Sequence, residues 1–158
     1  EVRLTENPAS GQLERVSRGL RRNLGGQGSI ATRQQVREAV TLLSTYDSFP
    51  WDDSSTGSFR IRNEVLHGGA HIWSGRDMTS STSPDDPVFY AHHANVDGIW
   101  RPWQEDHGLN NYVPDQSAPQ WLQFHRLADR MHTFFNHTVT PQNMLNVDSF
   151  YRYDTLSM

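Results

Sequence analysis

Two histidines, His67 and His71, stand four residues apart, and a third, His93, follows in the next apolar stretch. On a helix, side chains at i and i+4 leave the same face about one turn apart, which is how two imidazoles chelate one ion. Eight histidines in 158 residues make a chance pair at this spacing unremarkable, so by itself the pair reads as ordinary packing. His93 alters that reading. It shares a helical stripe with Phe89, Val96 and Trp100, which points its ring into the interior, where an imidazole needs a partner. The competing reading is a core histidine bonded to a carbonyl. His92, one position away, is expected to point elsewhere, either orienting a neighbour from behind or simply packed. Three neutral imidazoles without a thiolate suit copper or zinc. Glu64, three residues before His67, and Asp97, one turn beyond His93, are candidates to orient a ligand or a bound water; each also reads as an ordinary cap or ion-pair residue. Glu64 and His67 further fit the Glu-x-x-His pattern of di-iron carboxylate bundles. That chemistry needs a second such motif, which the sequence lacks.

These side chains must be carried by helices. The spacing predicts one over Phe59–Trp73, although Gly68 and Gly69 in its middle cost about 1 kcal/mol each relative to alanine and suggest close approach of something. A following helix should start at Asp86 as cap with Pro87 in its first turn, and Pro102 should kink or end it. Upstream, Leu13–Leu24 reads as a short helix closed by Gly25-Gly26. Thr32 caps another helix from Arg33 to about Tyr46, with Val36, Ala39, Val40 and Leu43 as its apolar stripe. Residues 47–57 read as a loop, 120–135 as a further helix, and the tail from Thr140 as a turn followed by short extended structure. The chain is expected to be mainly α and to form a single domain.

Composition removes several function classes. The net charge of −4 leaves no electrostatic footprint for nucleic acid. Apolar runs are far shorter than the roughly 20 residues a membrane span needs, so a soluble protein without a membrane partner is expected. There is no cysteine, which excludes disulfides and thiolate sites. All fourteen basic residues are arginine, which excludes lysine Schiff-base chemistry and a P-loop lysine. The chain begins at Glu1 with no initiator Met and no targeting segment in view, so removal of something upstream is expected. Asn136-His137-Thr138 fits a glycosylation acceptor; the compartment stays open, with secretion favoured.

The run from Ser83 through Asp86-Pro87-Val88-Phe89-Tyr90-Ala91-His92-His93-Ala94-Asn95-Val96-Asp97 to Trp100, followed by Trp103-Gln104, resembles the copper-B signature of tyrosinases, catechol oxidases and related phenol oxidases. Leu66-His67-Gly68-Gly69-Ala70-His71-Ile72-Trp73-Ser74-Gly75 resembles the first copper-B helix of that family, and Tyr46-Asp47, Pro50-Trp51 and Phe59-Arg60 resemble the approach to it. Thr140-Pro141 and Tyr151-Arg152-Tyr153-Asp154 resemble the closing segment of the catalytic domain. The resemblance implies that residues 1–158 are the copper-B half of a four-helix-bundle type-3 copper domain with long loops. It further implies that His67, His71 and His93 bind copper, and that Glu64 helps hold a water that assists deprotonation of a monophenol. Thr79, Ser80 and Ser81 would shape the substrate entrance, where their small size hints at an open mouth.

The resemblance implies oxidation of a phenolic substrate by O2 at a pair of coppers. Gly68 stands where the family usually has Asn, and the segment between Glu64 and His67 is short, so oxidation of catechols or o-aminophenols is expected over monophenol hydroxylation. The family's copper-A site precedes copper-B, yet no histidine precedes His67. His107, His125, His132 and His137 all follow it, none in a copper-A-like context, and His125 and His132, seven residues apart on one expected helix face, are expected to be solvated or packed. A copper-A-bearing chain or N-terminal fragment is therefore the expected partner. Two rival readings stand beside this one: an O2 carrier of the hemocyanin type, and a stand-alone mononuclear metal-binding module.

Overall fold

The structure is a computed structural model that describes residues 2–6, 13–17, 19–47, 57–120, 123–131, 138–148 and 150–154, the two outermost N-terminal stretches by backbone only. It is mainly helical, as expected: α1 spans Arg33–Leu42, α2 Phe59–Ser74, α3 Pro87–His107 and α4, a single turn, Pro141–Met144. Two strands, β1 (Val2–Glu6) and β2 (Leu13–Ser17), add an antiparallel pair in register from Val2 against Ser17 to Glu6 against Leu13. The chain folds as two compact units, one of residues 1–31 and 67–95, the other of residues 32–66 and 96–158.

In the second unit the core is Val40, Phe59, Ile99 and Trp103, with Val36, Leu43, Tyr46 and Trp100 packed around it. Phe59 and Trp103 stack with ring centroids 4.7 Å apart. Thr32 caps α1 in a full capping box with Gln35, as its position predicts. The helix stops at Leu42, short of the expected Tyr46, and the carbonyls that follow are used elsewhere: Thr45 and Tyr46 accept from the first amides of α2, and Leu43 accepts from the Trp103 indole. Asp47 is buried and ion-paired with Arg60 on the first turn of α2.

Of the two effects expected of Pro102, a kink or an end, the end does not occur: α3 runs through it to His107. A proline ring inside a helix crowds the carbonyl of residue i−4. That residue is Gly98, buried beside the Tyr153 ring. Beyond the proline the helix is held from outside, since Trp103 is fully buried and the Gln104 amide donates to Leu145 O at 3.1 Å.

Two expected helices are not found among the described residues. Residues 13–17 of the expected Leu13–Leu24 helix form β2, and 21–28 form an irregular segment with Gly25 and Gly28 at positive φ. The short apolar-polar alternation of Val2-Arg3-Leu4-Thr5 suits a strand, and Leu13–Ser17 pairs with it as β2 instead of coiling. In the expected 120–135 helix, residues 123–131 are turns, with Phe124 at φ +76; the rest of that span lies largely outside the described residues. The Asp129 carboxylate takes the amides of Phe124 and Arg126, the Arg126 guanidinium and the Gln116 amide, so a side chain satisfies the donors that a helix would have used. The expected loop over 47–57 also lies almost wholly outside the described residues. The tail opens with the one-turn α4, capped by Thr140, and continues without regular structure over 151–154.

Candidate metal centre

All four histidines of the candidate site belong to the first unit. His67 and His71 lie on α2 and His92 and His93 on α3, all of them partly buried. The i,i+4 pair does meet on one face: the Nε2 atoms of His67 and His71 are 2.9 Å apart. Ring centroids of His93 lie 4.9 Å from His67 and 5.5 Å from His71, and those of His92 lie 5.2 and 5.0 Å from the same two. Ligating atoms of His67, His71 and His92 fall within 4.8 Å of one another.

Two hydrogen bonds set ring orientation. The Nδ1 of His71 lies 2.6 Å from the carbonyl of Met78, which is buried in the 3-10 turn Arg76–Thr79. A carbonyl only accepts, so Nδ1 carries the proton and Nε2 presents its lone pair to the cluster, the arrangement found behind metal-bound imidazoles. The Nε2 of His92 lies 3.1 Å from the His67 carbonyl and donates to it, while its ring stacks on that of His67 at 9°. Burial first, and the three neighbouring imidazoles after it, push His92 down to about 4, against the raising effect of its carbonyl bond. It is neutral at pH 7. His93 packs against Phe89, with ring centroids 4.0 Å apart, in keeping with its apolar stripe.

His92 therefore does not point away from the pair, as its position next to His93 suggests; both neighbours reach the His67–His71 face. Adjacent helical residues diverge by about 100°. Two rings of this size still converge when the target lies between their directions. Met78 was invisible to sequence reasoning, since a backbone carbonyl leaves no signature in residue type.

The other candidates are more dispersed. Glu64 is exposed on α2. A Cβ at Gly68 would meet nothing within 4 Å, whereas one at Gly69 would come within 2.8 Å of Ser29 O, so close approach is real at the second glycine only. The Asp97 carboxylate, in the second unit, accepts hydrogen bonds from Tyr151 at 2.6 Å and from Tyr153. Thr79, Ser80 and Ser81 are exposed; the Thr79 hydroxyl donates to Arg76 O and that of Ser80 to Asp77 O. Thr79 also lines a polar cavity of about 310 Å³ with Asn23, Gln27, Ile72, Gly75 and Arg76. His107 is packed, its Nε2 2.7 Å from Val40 O, whereas His132 and His137 lie outside the described residues.

Imidazole-only donors on two helices, one of them fixed from behind by a carbonyl, form a candidate metal centre whose donor set suits copper or zinc. Comparison with known proteins decides the class. The family described as the common central domain of tyrosinase matches residues 2–106. A tyrosinase of Streptomyces lincolnensis is 36% identical over 144 residues, covering 86% of this chain and 50% of that protein. Grixazone synthase of Streptomyces griseus is 33% identical over 146 residues, 79% of this chain and 45% of its own length. Hemocyanin beta-C chain unit D of Helix pomatia is 30% identical over 156 residues, covering 85% of this chain and 37% of that protein. The chain belongs to the tyrosinase family, whose metal is copper, and spans about half the length of the tyrosinases it matches.

Proposed function

We propose that residues 1–158 are the copper-B half of a tyrosinase-type catalytic domain. In this reading it oxidises phenolic substrates, catechols or o-aminophenols in preference to monophenols, with O2 as oxidant, and a copper-A half is supplied by another segment. The observation that carries the reading is the cluster of imidazoles on α2 and α3, with His71 fixed by the Met78 carbonyl so that Nε2 faces the other rings.

His67, His71 and His93 are taken as the ligands. His92 meets a distance criterion with His67 and His71, but its Nε2 is spent on the His67 carbonyl. That bond suits a residue that orients His67 better than one that holds the ion itself. Copper, when bound, supplies the redox chemistry that imidazoles and carboxylates lack. The chain's own part is to bind, to orient and to admit substrate. Met78 O keeps His71 in the ligating tautomer, Glu64 is assigned to hold a water for the phenol proton, and the exposed Thr79, Ser80 and Ser81 leave the entrance without bulk. The open space beside Gly68 lacks the Asn amide that the family usually sets there, which favours substrates that need no assisted deprotonation.

Two facts fit a copper-A half that lies outside residues 1–158: residues 1–66 hold no histidine, and the match covers only half of each tyrosinase. The similarity to a hemocyanin unit keeps a second reading in view, reversible O2 binding without turnover. Intact mass and metal analysis of the native particle, joined to an assay with catechol, separates them. Two coppers per particle that contains this chain and a segment of similar size, with quinone formation, is the expected result. Two coppers with reversible oxygenation and no turnover selects the carrier, and a copper-free monomer would overturn both.

A further inference from the structure

The segment of residues 21–28 is bonded to every element that carries or orients a site histidine. At the C-terminal end of α2, whose last carbonyls have no helical partner, Asn23 N donates to Ser74 O at 2.8 Å and Gly25 N to Trp73 O at 2.9 Å. Along the 3-10 turn that presents Met78 O to His71, Arg21 N donates to the Asp77 carboxylate at 2.9 Å, and Asp77 N returns a bond to Arg21 O. At the start of α3, the Arg22 guanidinium holds both oxygens of Asp86, at 2.8 and 2.6 Å. Asp86 has no exposed surface, and its Oδ1 also accepts from Val88 N, so it caps the helix that carries His92 and His93. The segment lies close on α2 because glycines line the contact: a Cβ at Gly28 would meet Ile72 at 2.8 Å, and one at Gly69 would meet Ser29 O.

We infer that this segment is a strap that sets the spacing of the two histidine-bearing helix ends, and that Arg22, through its forked bond to Asp86, is a positioning residue of the metal centre. The inference rests on the ligand assignment above. The lever is long enough to matter. His93 lies seven residues from Asp86, about 10 Å along the helix, so a tilt of roughly 10° at the cap moves its ring by about 2 Å. Functional geometries tolerate about 0.5 Å. The fork uses two guanidinium nitrogens, where a lysine would supply the charge but only a single point of contact.

The test uses the full native protein and Cu(II) alone as the probe. Affinity is read by chelator competition, and the thermal midpoint is measured with and without copper. Arg22→Ala is expected to weaken copper about 10- to 100-fold, the cost typical of losing a group behind a ligand. It should also shrink the rise in midpoint that copper produces, beyond any loss in the copper-free protein. Arg22→Lys should recover part of the affinity. Unchanged affinity and an unchanged copper-induced rise in Arg22→Ala would show the pair to be merely structural. If that variant does not fold, Asp86→Asn, which keeps a capping side chain and removes the charge, decides by the same two readings. His71→Ala runs beside them: retained copper there sinks the ligand assignment, whereas copper lost there but kept in Arg22→Ala sinks the strap alone.

Discussion

At His71 both ring nitrogens have an assignment, one to Met78 O and one to the neighbouring imidazoles, and this double constraint separates it from a histidine that merely fills space. The adjacent pair on α3 poses the sharper question. His92 has its Nε2 on the His67 carbonyl, while His93 rests on Phe89 with its ring edge-on to His67 and His71. If His93 is the ligand and His92 the orienting residue, His93→Ala should abolish copper binding at this site. His92→Ala should weaken it by about one to two orders of magnitude. Calorimetric titration with Cu(II) checks this, and the reverse ranking would hand the ligand role to His92. At this scale the i,i+4 pair and the inward stripe of His93 were readable from residue type and spacing. The Met78 carbonyl and the convergence of His92 were not, because both depend on how backbone and rings lie in space.

At the scale of elements, α2 carries adjacent glycines that behave differently. Gly68 faces open space and so leaves only the entropic cost of glycine in a helix, whereas Gly69 lets Ser29 O approach. Gly68→Ala is therefore expected to stabilise the fold by up to about 1 kcal/mol. Gly69→Ala should destabilise it, since the Ser29 backbone, next to the strap, must move to admit a methyl group. Urea titration of the two variants gives the answer, and shifts of the same sign would contradict the contact. Helix starts were the most legible feature of the sequence: Thr32, Asp86 and Pro87 act locally and do what their types predict. Helix ends and exceptions were set by distant groups. Val40 O is met by His107, α3 is held beyond Pro102 by the burial of Trp103 and the bond of Gln104 to Leu145 O, and Asp129 captures the donors of a segment whose composition suggested a helix.

Across the whole molecule, each unit contains a carboxylate held below its usual range. Asp86 is lowered first by its hydrogen bond from Arg22, and Asp129 first by that from Arg126. A group whose folded value is depressed contributes stability that is present above its unfolded value, near 3.9 for an aspartate, and is lost as pH falls through the folded one. The thermal midpoint should therefore be insensitive to these two groups from neutrality to about pH 5 and should drop below about pH 4. Asp129→Asn should make that drop shallower, and a variant that falls as steeply as the parent below pH 4 would show that Asp129 is not among its causes.

The sequence by itself determined the helical class, the three-histidine pattern and its likeness to the tyrosinase family, because spacing along a helix and local capping are encoded within a few neighbouring residues. It also showed that residues 1–66 hold no imidazole. Only the tertiary structure decided which carbonyl orients His71, that His92 joins the cluster, and that Arg22 meets Asp86 across 64 positions of chain. Those contacts join residues far apart in sequence or use backbone atoms that every residue shares. Residue type and spacing carry no trace of either until the chain is folded.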